Sequence, residues 1–128
     1  MNISLENLDK VSALLTVKME KADYAAKVDK ALKDYRKKAN IPGFRPGQAP
    51  MSLLKKRFGK EVTAEEVNKL LGEKLYEYIM RIGEKWVSPP YNVDGWRLDV
   101  AADLGYTEEF NHRFWRDFRT RVKEANPD

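Results

Sequence analysis

The chain has 128 residues, with 24 Lys or Arg against 20 Asp or Glu, a net charge of +4 and no cysteine. That length holds one modest core. Without cysteine there are no disulfides, no thiolate catalysis and no zinc–thiolate sites, and the single His112, read as a surface residue on the last helix, cannot form a histidine-rich metal site. No apolar run reaches the ~18–20 residues of a membrane span. The start, Met1 to Glu6, lacks the basic-then-apolar order of a secretory signal. This composition fits a reducing cytoplasm, and no cofactor, metal, membrane partner or small-molecule substrate is expected.

Residues 2–6 alternate, with Ile3 and Leu5 apolar, and residues 11–19 alternate again through Val11, Ala13, Leu15, Val17 and Met19. The polar stretch Asn7–Lys10 between them supplies turn chemistry, so the two runs read as a hairpin with one buried face. The period then lengthens. Tyr24, Val28, Ala31, Leu32, Tyr35 and Ala39 recur at three- and four-residue steps and predict a helix from about Asp23 to Lys38, whose opposite face carries Lys27, Lys30, Lys33 and Lys37. Ile41-Pro42-Gly43 stops it. A short helix is expected from Pro50 to Gly59, burying Met51, Leu54 and Phe58. A third should open at Thr63, capped by Glu66, with Val67, Leu70, Leu71, Leu75 and Tyr78 as its stripe. After Trp86-Val-Ser-Pro-Pro-Tyr91, a proline-broken connector, the alternation of Trp96, Leu98 and Val100 predicts a strand over 96–101. Thr107 begins a last helix with Phe110, Phe114, Trp115, Phe118 and Val122 inward, fraying by Asn126-Pro127. The predicted class is α+β. A small antiparallel sheet, with 96–101 as the candidate third strand, packs against three to four helices.

Charge is unevenly placed. From Arg36 to Lys60 the chain carries eight basic residues (Arg36, Lys37, Lys38, Arg45, Lys55, Lys56, Arg57 and Lys60) and no Asp or Glu. Inside that block lies Gly43-Phe44-Arg45-Pro46-Gly47-Gln48-Ala49-Pro50. Gly43 and Gly47 permit tight turns, and the prolines limit the unbound conformations of the loop. Phe44 offers apolar contact, and Arg45 can fork onto a phosphate or carboxylate. A preorganised tip in a basic field suits docking onto a polyanion at low entropic cost. The plain reading beside it is a helix–helix connector.

The first ~80 residues resemble the N-terminal ribosome-binding domain of the trigger factor family of bacterial chaperones. The element order matches, and Gly43-Phe44-Arg45-x-Gly47-x-x-Pro50, followed by Arg57-Phe58-Gly59, fits that family's signature. The resemblance implies a non-enzymatic module that docks on the ribosome beside the tunnel exit. Gly43, Phe44, Arg45, Pro46, Gly47 and Pro50 would form the contact, and Arg36, Lys37 and Lys38 the basic surround. It also implies a capacity for self-association, which free strand edges would favour. Pro46 departs from the pattern, standing where the family often has a basic residue; one phosphate contact is expected to weaken and the loop to stiffen.

Residues ~80–128 resemble something else. Trp86-Val-Ser-Pro-Pro-Tyr91, Asp94-Gly-Trp-Arg-Leu-Asp-Val-Ala101, Phe114-Trp-Arg-Asp-Phe-Arg119 and Asn126-Pro-Asp128 are similar to one strand–helix unit of the alpha-amylase superfamily of glycoside hydrolases. The match would make Asp99 a nucleophile and Arg97 its neighbour. Both are expected to be inactive here, because the chemistry needs a second carboxyl group on a closed barrel of ~250 residues. The chain thus reads as a chaperone-like segment, 1–80, joined near Tyr78–Ile82 to a glycosidase-like fragment, 81–128, the two packed as one chimeric domain. The Phe114/Trp115/Phe118 stripe reads as core, and Glu65, Glu66, Glu73 and Glu77 as a solvated helix face.

Overall fold

The computed structural model describes residues 1–127. Two strands, β1 (Asn2–Asn7) and β2 (Ala13–Lys18), precede the helices α1 (Lys21–Lys38) and α2 (Met51–Val87). A short 3-10 turn (Ala101–Asp103) then leads into α3 (Glu108–Ala125). The chain divides into two compact units, one over Met1–Gly72 and one from Glu73 onward, and α2 runs through both. The class is α+β, as expected.

In the first unit, β1 and β2 pair antiparallel with Ile3 opposite Val17 and Leu5 opposite Leu15, so the apolar residues of both strands share a face. The connecting turn is held by Asp9, whose Oδ1 accepts from the amides of Val11 at 2.8 Å and Ser12 at 2.7 Å. The expected buried face is only half realised. Ile3, Leu15 and Val17 are half-buried, Leu5 is 56% exposed, and Val11, which lies in the turn rather than the strand, is 94% exposed.

Asp23 organises the start of α1, accepting from the backbone of Glu20 at 2.8 Å and pairing with the N-terminal ammonium at 2.8 Å. Arg36, Lys37 and Lys38 occupy the last turn, where positive charge complements the helix dipole. The predicted stripe faces α2: Val28 and Leu32 pack with Val62, and Tyr24, Ala31, Met51 and Phe58 close around them.

The break expected between Gly59 and Thr63 does not occur. Residues 51–87 form one helix of 37 residues, and Thr63 lies inside it rather than capping a new one. A mid-helix glycine costs about 1 kcal/mol relative to alanine. Leu54, Val62 and Leu70 all bury along the uninterrupted helix, and their burial outweighs that cost.

In the second unit the later turns of α2 carry the buried Met80 and Val87, and α3 supplies the buried Phe114. Gly83 is needed for close approach: a Cβ there would lie 2.5 Å from the Phe118 ring. Tyr76 donates to Asp117 Oδ2 at 2.6 Å, and burial, followed by that bond, leaves its phenol pKa pushed up to about 12. Arg121 forks onto Glu77 at 3.0 and 2.7 Å and also reaches Glu84 at 3.0 Å.

The strand expected over 96–101 is absent. The only sheet among the described residues is β1–β2; 96–100 is irregular, with Val100 in the left-handed region at φ 53, and Ala101 opens the 3-10 turn. Alternation alone does not make a strand; a paired edge does. The segment is tethered instead by the Trp96 indole, which donates to the Gly83 carbonyl at 3.2 Å, and by the Trp115 indole, which donates to the Ala101 carbonyl at 2.7 Å.

Thr107, expected to begin the last helix, stands just before α3 as its cap, its hydroxyl accepting from the Phe110 amide at 3.1 Å, with Glu108 and Glu109 in the first turn. Thr107→Ala should lower stability by ~1 kcal/mol and Thr107→Ser should restore most of it. Urea denaturation followed by circular dichroism measures both, and equal midpoints for the wild type and the alanine variant would remove the cap from the account. No helix of the described residues is long and apolar enough to cross a membrane.

Candidate functional site

The loop between α1 and α2 is rooted by burial at both ends. Ile41 and Ala49 are 5% and 3% exposed and pack with Leu54, which is fully enclosed, while Ala39, Met51, Leu53 and Phe58 surround them. Seven residues, 42–48, are left outside these anchors, and all but the half-buried Gly47 are exposed.

Two tight turns fold that segment. The Phe44 amide donates to the Ile41 carbonyl at 3.0 Å and the Gln48 amide to the Arg45 carbonyl at 2.9 Å. In each turn a proline precedes a glycine of positive φ, +88 at Gly43 and +79 at Gly47, the type II arrangement. A Cβ at either glycine would meet nothing within 4 Å, so glycine is required by backbone conformation and not by crowding. Pro46 therefore does more than stiffen the loop generally: it occupies the position that sets φ for the second turn. Pro50 follows at the start of α2, its carbonyl accepting from Leu53 at 3.1 Å and Leu54 at 3.2 Å.

Phe44 and Arg45 fall at the junction of the two turns. Arg45 is exposed and Phe44 is 41% exposed, a large apolar ring left in solvent beside a guanidinium. Of the eight basic residues, Lys37 pairs with Asp34 at 3.2 Å and Lys55 with Asp29 at 2.8 Å. Among the described residues the other six, Arg36, Lys38, Arg45, Lys56, Arg57 and Lys60, make no ion pair. Arg57 lies instead over the Phe58 ring at 5.4 Å, and Arg36 has a buried Nε without a hydrogen-bond partner. The charge is thus largely uncompensated.

Sequence reasoning singled out the tip and its surround but not the device that holds them. Two Pro-Gly dipeptides four residues apart, at 42–43 and 46–47, were the legible signal for the paired turns. The other candidate pair lies elsewhere: Arg97 and Asp99 are 3.7 Å apart, with side chains 91% and 83% exposed, on irregular backbone. Nearby, Lys85 lies 5.6 Å from the Trp86 ring and 5.4 Å from Tyr91, a cluster the sequence reading left unassigned.

Comparison with known proteins returns the family described as "Bacterial trigger factor protein (TF)", matching residues 1–125. The chain belongs to the trigger factor family. A trigger factor of Thermodesulfovibrio yellowstonii is 32% identical over 127 residues, 97% of this chain and 29% of that protein. One of Agrobacterium fabrum is 42% identical over 76 residues, 59% of this chain and 15% of that protein. The chain therefore spans less than a third of the length of these trigger factors. A cyclomaltodextrinase of a Bacillus species is also 48% identical over 52 residues, 41% of this chain and 8% of that protein. The glycosidase-like fragment is thus supported, while the trigger factor match runs well past the join expected near Tyr78–Ile82.

Proposed function

We propose that this chain is the ribosome-docking module of a trigger-factor-type nascent-chain chaperone, engaging protein and RNA near the exit tunnel through the 43–50 loop. The observation that carries this reading is the tip itself. Phe44 and Arg45 stand exposed between two proline–glycine turns, on a root formed by Ile41, Ala49 and Leu54. Arg45 suits a phosphate or carboxylate oxygen, Phe44 an apolar recess, and Arg36, Lys37 and Lys38 a diffuse attraction to RNA. On this reading the protein works in the bacterial cytoplasm, without cofactor or catalysis. Self-association would use the open edges of β1 and β2.

The test is co-sedimentation with bacterial ribosomes. Phe44→Ala combined with Arg45→Ala should reduce pelleting at least tenfold while leaving the circular dichroism melt within a few degrees of wild type, since exposed substitutions away from packed features usually cost ~0.5 kcal/mol or less. Binding should also weaken steeply as salt rises. A double variant that pellets like the parent would refute the tip's role.

A second reading is favoured by the 52-residue likeness to a cyclomaltodextrinase. Residues 81–128 would be a glycosidase-like fragment fused to the chaperone segment, giving a folded chimera of engineered, selected or accidental origin that retains no activity. Retaining or inverting hydrolysis needs a second carboxyl group ~5–9.5 Å from the first. Asp99 has Arg97 as its ion-pair partner and stands in solvent, which supports absence of turnover. Failure of the wild-type chain to pellet with ribosomes, despite a cooperative melt, would favour this second reading.

A further inference from the structure

In the second unit, residues 97–100 form an exposed stretch of backbone between two indole tethers. The Trp96 indole holds one end to the Gly83 carbonyl, and the Trp115 indole holds the other at the Ala101 carbonyl. Among the described residues the amides and carbonyls of Arg97, Leu98 and Asp99 make no hydrogen bond. Their apolar neighbours are also in solvent, with Leu98 41% and Val100 71% exposed. Val100 sits at φ 53, a region that β-branched residues disfavour, whereas the extended region is the one valine prefers. The first unit carries the complementary feature. β1 has β2 on one side and no strand on the other, and Leu5 on its apolar face is 56% exposed.

We propose that two copies of this chain pair reciprocally by strand addition, residues 97–100 of each lying antiparallel along the free edge of the other's β1. Chemistry chooses the register. With Leu98 of one copy opposite Leu5 of the other, Val100 falls opposite Ile3, on the face that β1 already shares with Leu15 and Val17. On the opposite face Arg97 then meets Glu6 and Asp99 meets Ser4. Among the described residues Glu6 has no cation partner, and Arg97 has only Asp99, 3.7 Å away in solvent. A slip of one residue would turn Leu98 outward and bring charge onto the apolar face. The same alignment on β2, with Leu98 opposite Leu15, would set Asp99 against Leu14, so β1 is the edge used. The occupant is a second copy because each chain carries both the free edge and the matching segment, so one pair satisfies two edges. Such pairing rests on the self-association read above and names the segment that fills the edge. It does not involve the 43–50 tip.

Sedimentation velocity of the full chain across a dilution series should show a monomer–dimer equilibrium. Glu6→Arg and Arg97→Glu should each weaken the dimer about tenfold or more, because every dimer holds that contact twice. The chain carrying both changes should recover most of the lost affinity, a rescue that damage to either segment alone would not give. Cross-linking locates the contact, since the chain has no cysteine of its own. A Ser4→Cys chain and a mass-tagged Asp99→Cys chain, mixed and oxidised, should give the mixed disulfide several-fold above either like pair. The Phe44→Ala/Arg45→Ala variant should dimerise like wild type. A chain that stays monomeric at every concentration would overturn both this pairing and the self-association read above. A dimer cross-linked chiefly through Ser4→Cys to Ser4→Cys would keep self-association and overturn strand addition. So would charge variants that dimerise like wild type, a double variant without recovery, or a Ser4→Cys/Asp99→Cys chain that closes its disulfide within one monomer.

Discussion

Leu54→Ala is expected to cost about 2–5 kcal/mol, the range for truncating a fully enclosed leucine whose surroundings relax only partly. Leu54 has no exposed surface and anchors Ile41 and Ala49, the two ends of the tip-bearing loop. At about 4 °C per kcal/mol for a chain of this size, the melting temperature should fall by roughly 10 °C or more. Leu54→Met keeps the volume and should cost under ~1.5 kcal/mol. The loss should also have a local signature. The Phe44 and Gln48 amides, bonded to Ile41 and Arg45 at 3.0 and 2.9 Å, should exchange with solvent faster in the alanine variant. A melt within two degrees of wild type, with those amides unaffected, would mean the loop does not depend on this root.

That dependence bears on how the structure could be read from its residues. The hairpin, α1, the loop boundaries and the start of α3 at Thr107 were legible because each is written locally: alternation at 2–6 and 11–19, a helical period from Tyr24 to Ala39, Pro-Gly pairs, a threonine before two glutamates. The hairpin's poor burial was not legible, because it depends on whether a third strand exists. The sequence offered 96–101, whose alternation is real, but pairing requires a free edge within reach and a backbone that stays extended. The chain instead turns left-handed at Val100 and hangs Trp96 on the Gly83 carbonyl. Continuity of α2 across Gly59 was misjudged for a related reason. Gly59 reads as a stop when scanned locally, yet Leu54 and Phe58 before it and Val62 after it all pack in the first unit, and that burial outweighs one glycine. For the candidate site the residue types were visible while the geometry was not. Gly43-Phe44-Arg45 named the tip, but only the paired turns explain why Phe44 stays in water when a ring of that size would otherwise gain by folding inward.

The second large effect is expected in the unit that begins at Glu73. Among the interactions that join α3 to the later turns of α2, the Arg121–Glu77–Glu84 fork and the aromatic stack differ in strength. The charged side chains are each about a third exposed, at 35%, 35% and 30%, so water and salt screen them. Phe114 is 6% exposed and meets four rings: Tyr76 at 5.5 Å and Trp115 at 5.0 Å edge-on, Phe110 and Phe118 at 6.3 Å stacked. Phe114→Ala should therefore dominate, costing about 3–5 kcal/mol, whereas Arg121→Met keeps much of the packing and should cost markedly less. Guanidinium denaturation of both variants ranks them, and an Arg121→Met loss equal to or larger than the Phe114→Ala loss would show that charge rather than packing holds α3. Native-state hydrogen exchange adds the spatial half of the result. Because the four rings that Phe114 meets belong to its own unit, the amides of α3 should lose protection first, while those around Val28, Leu32 and Leu54 keep theirs until global unfolding.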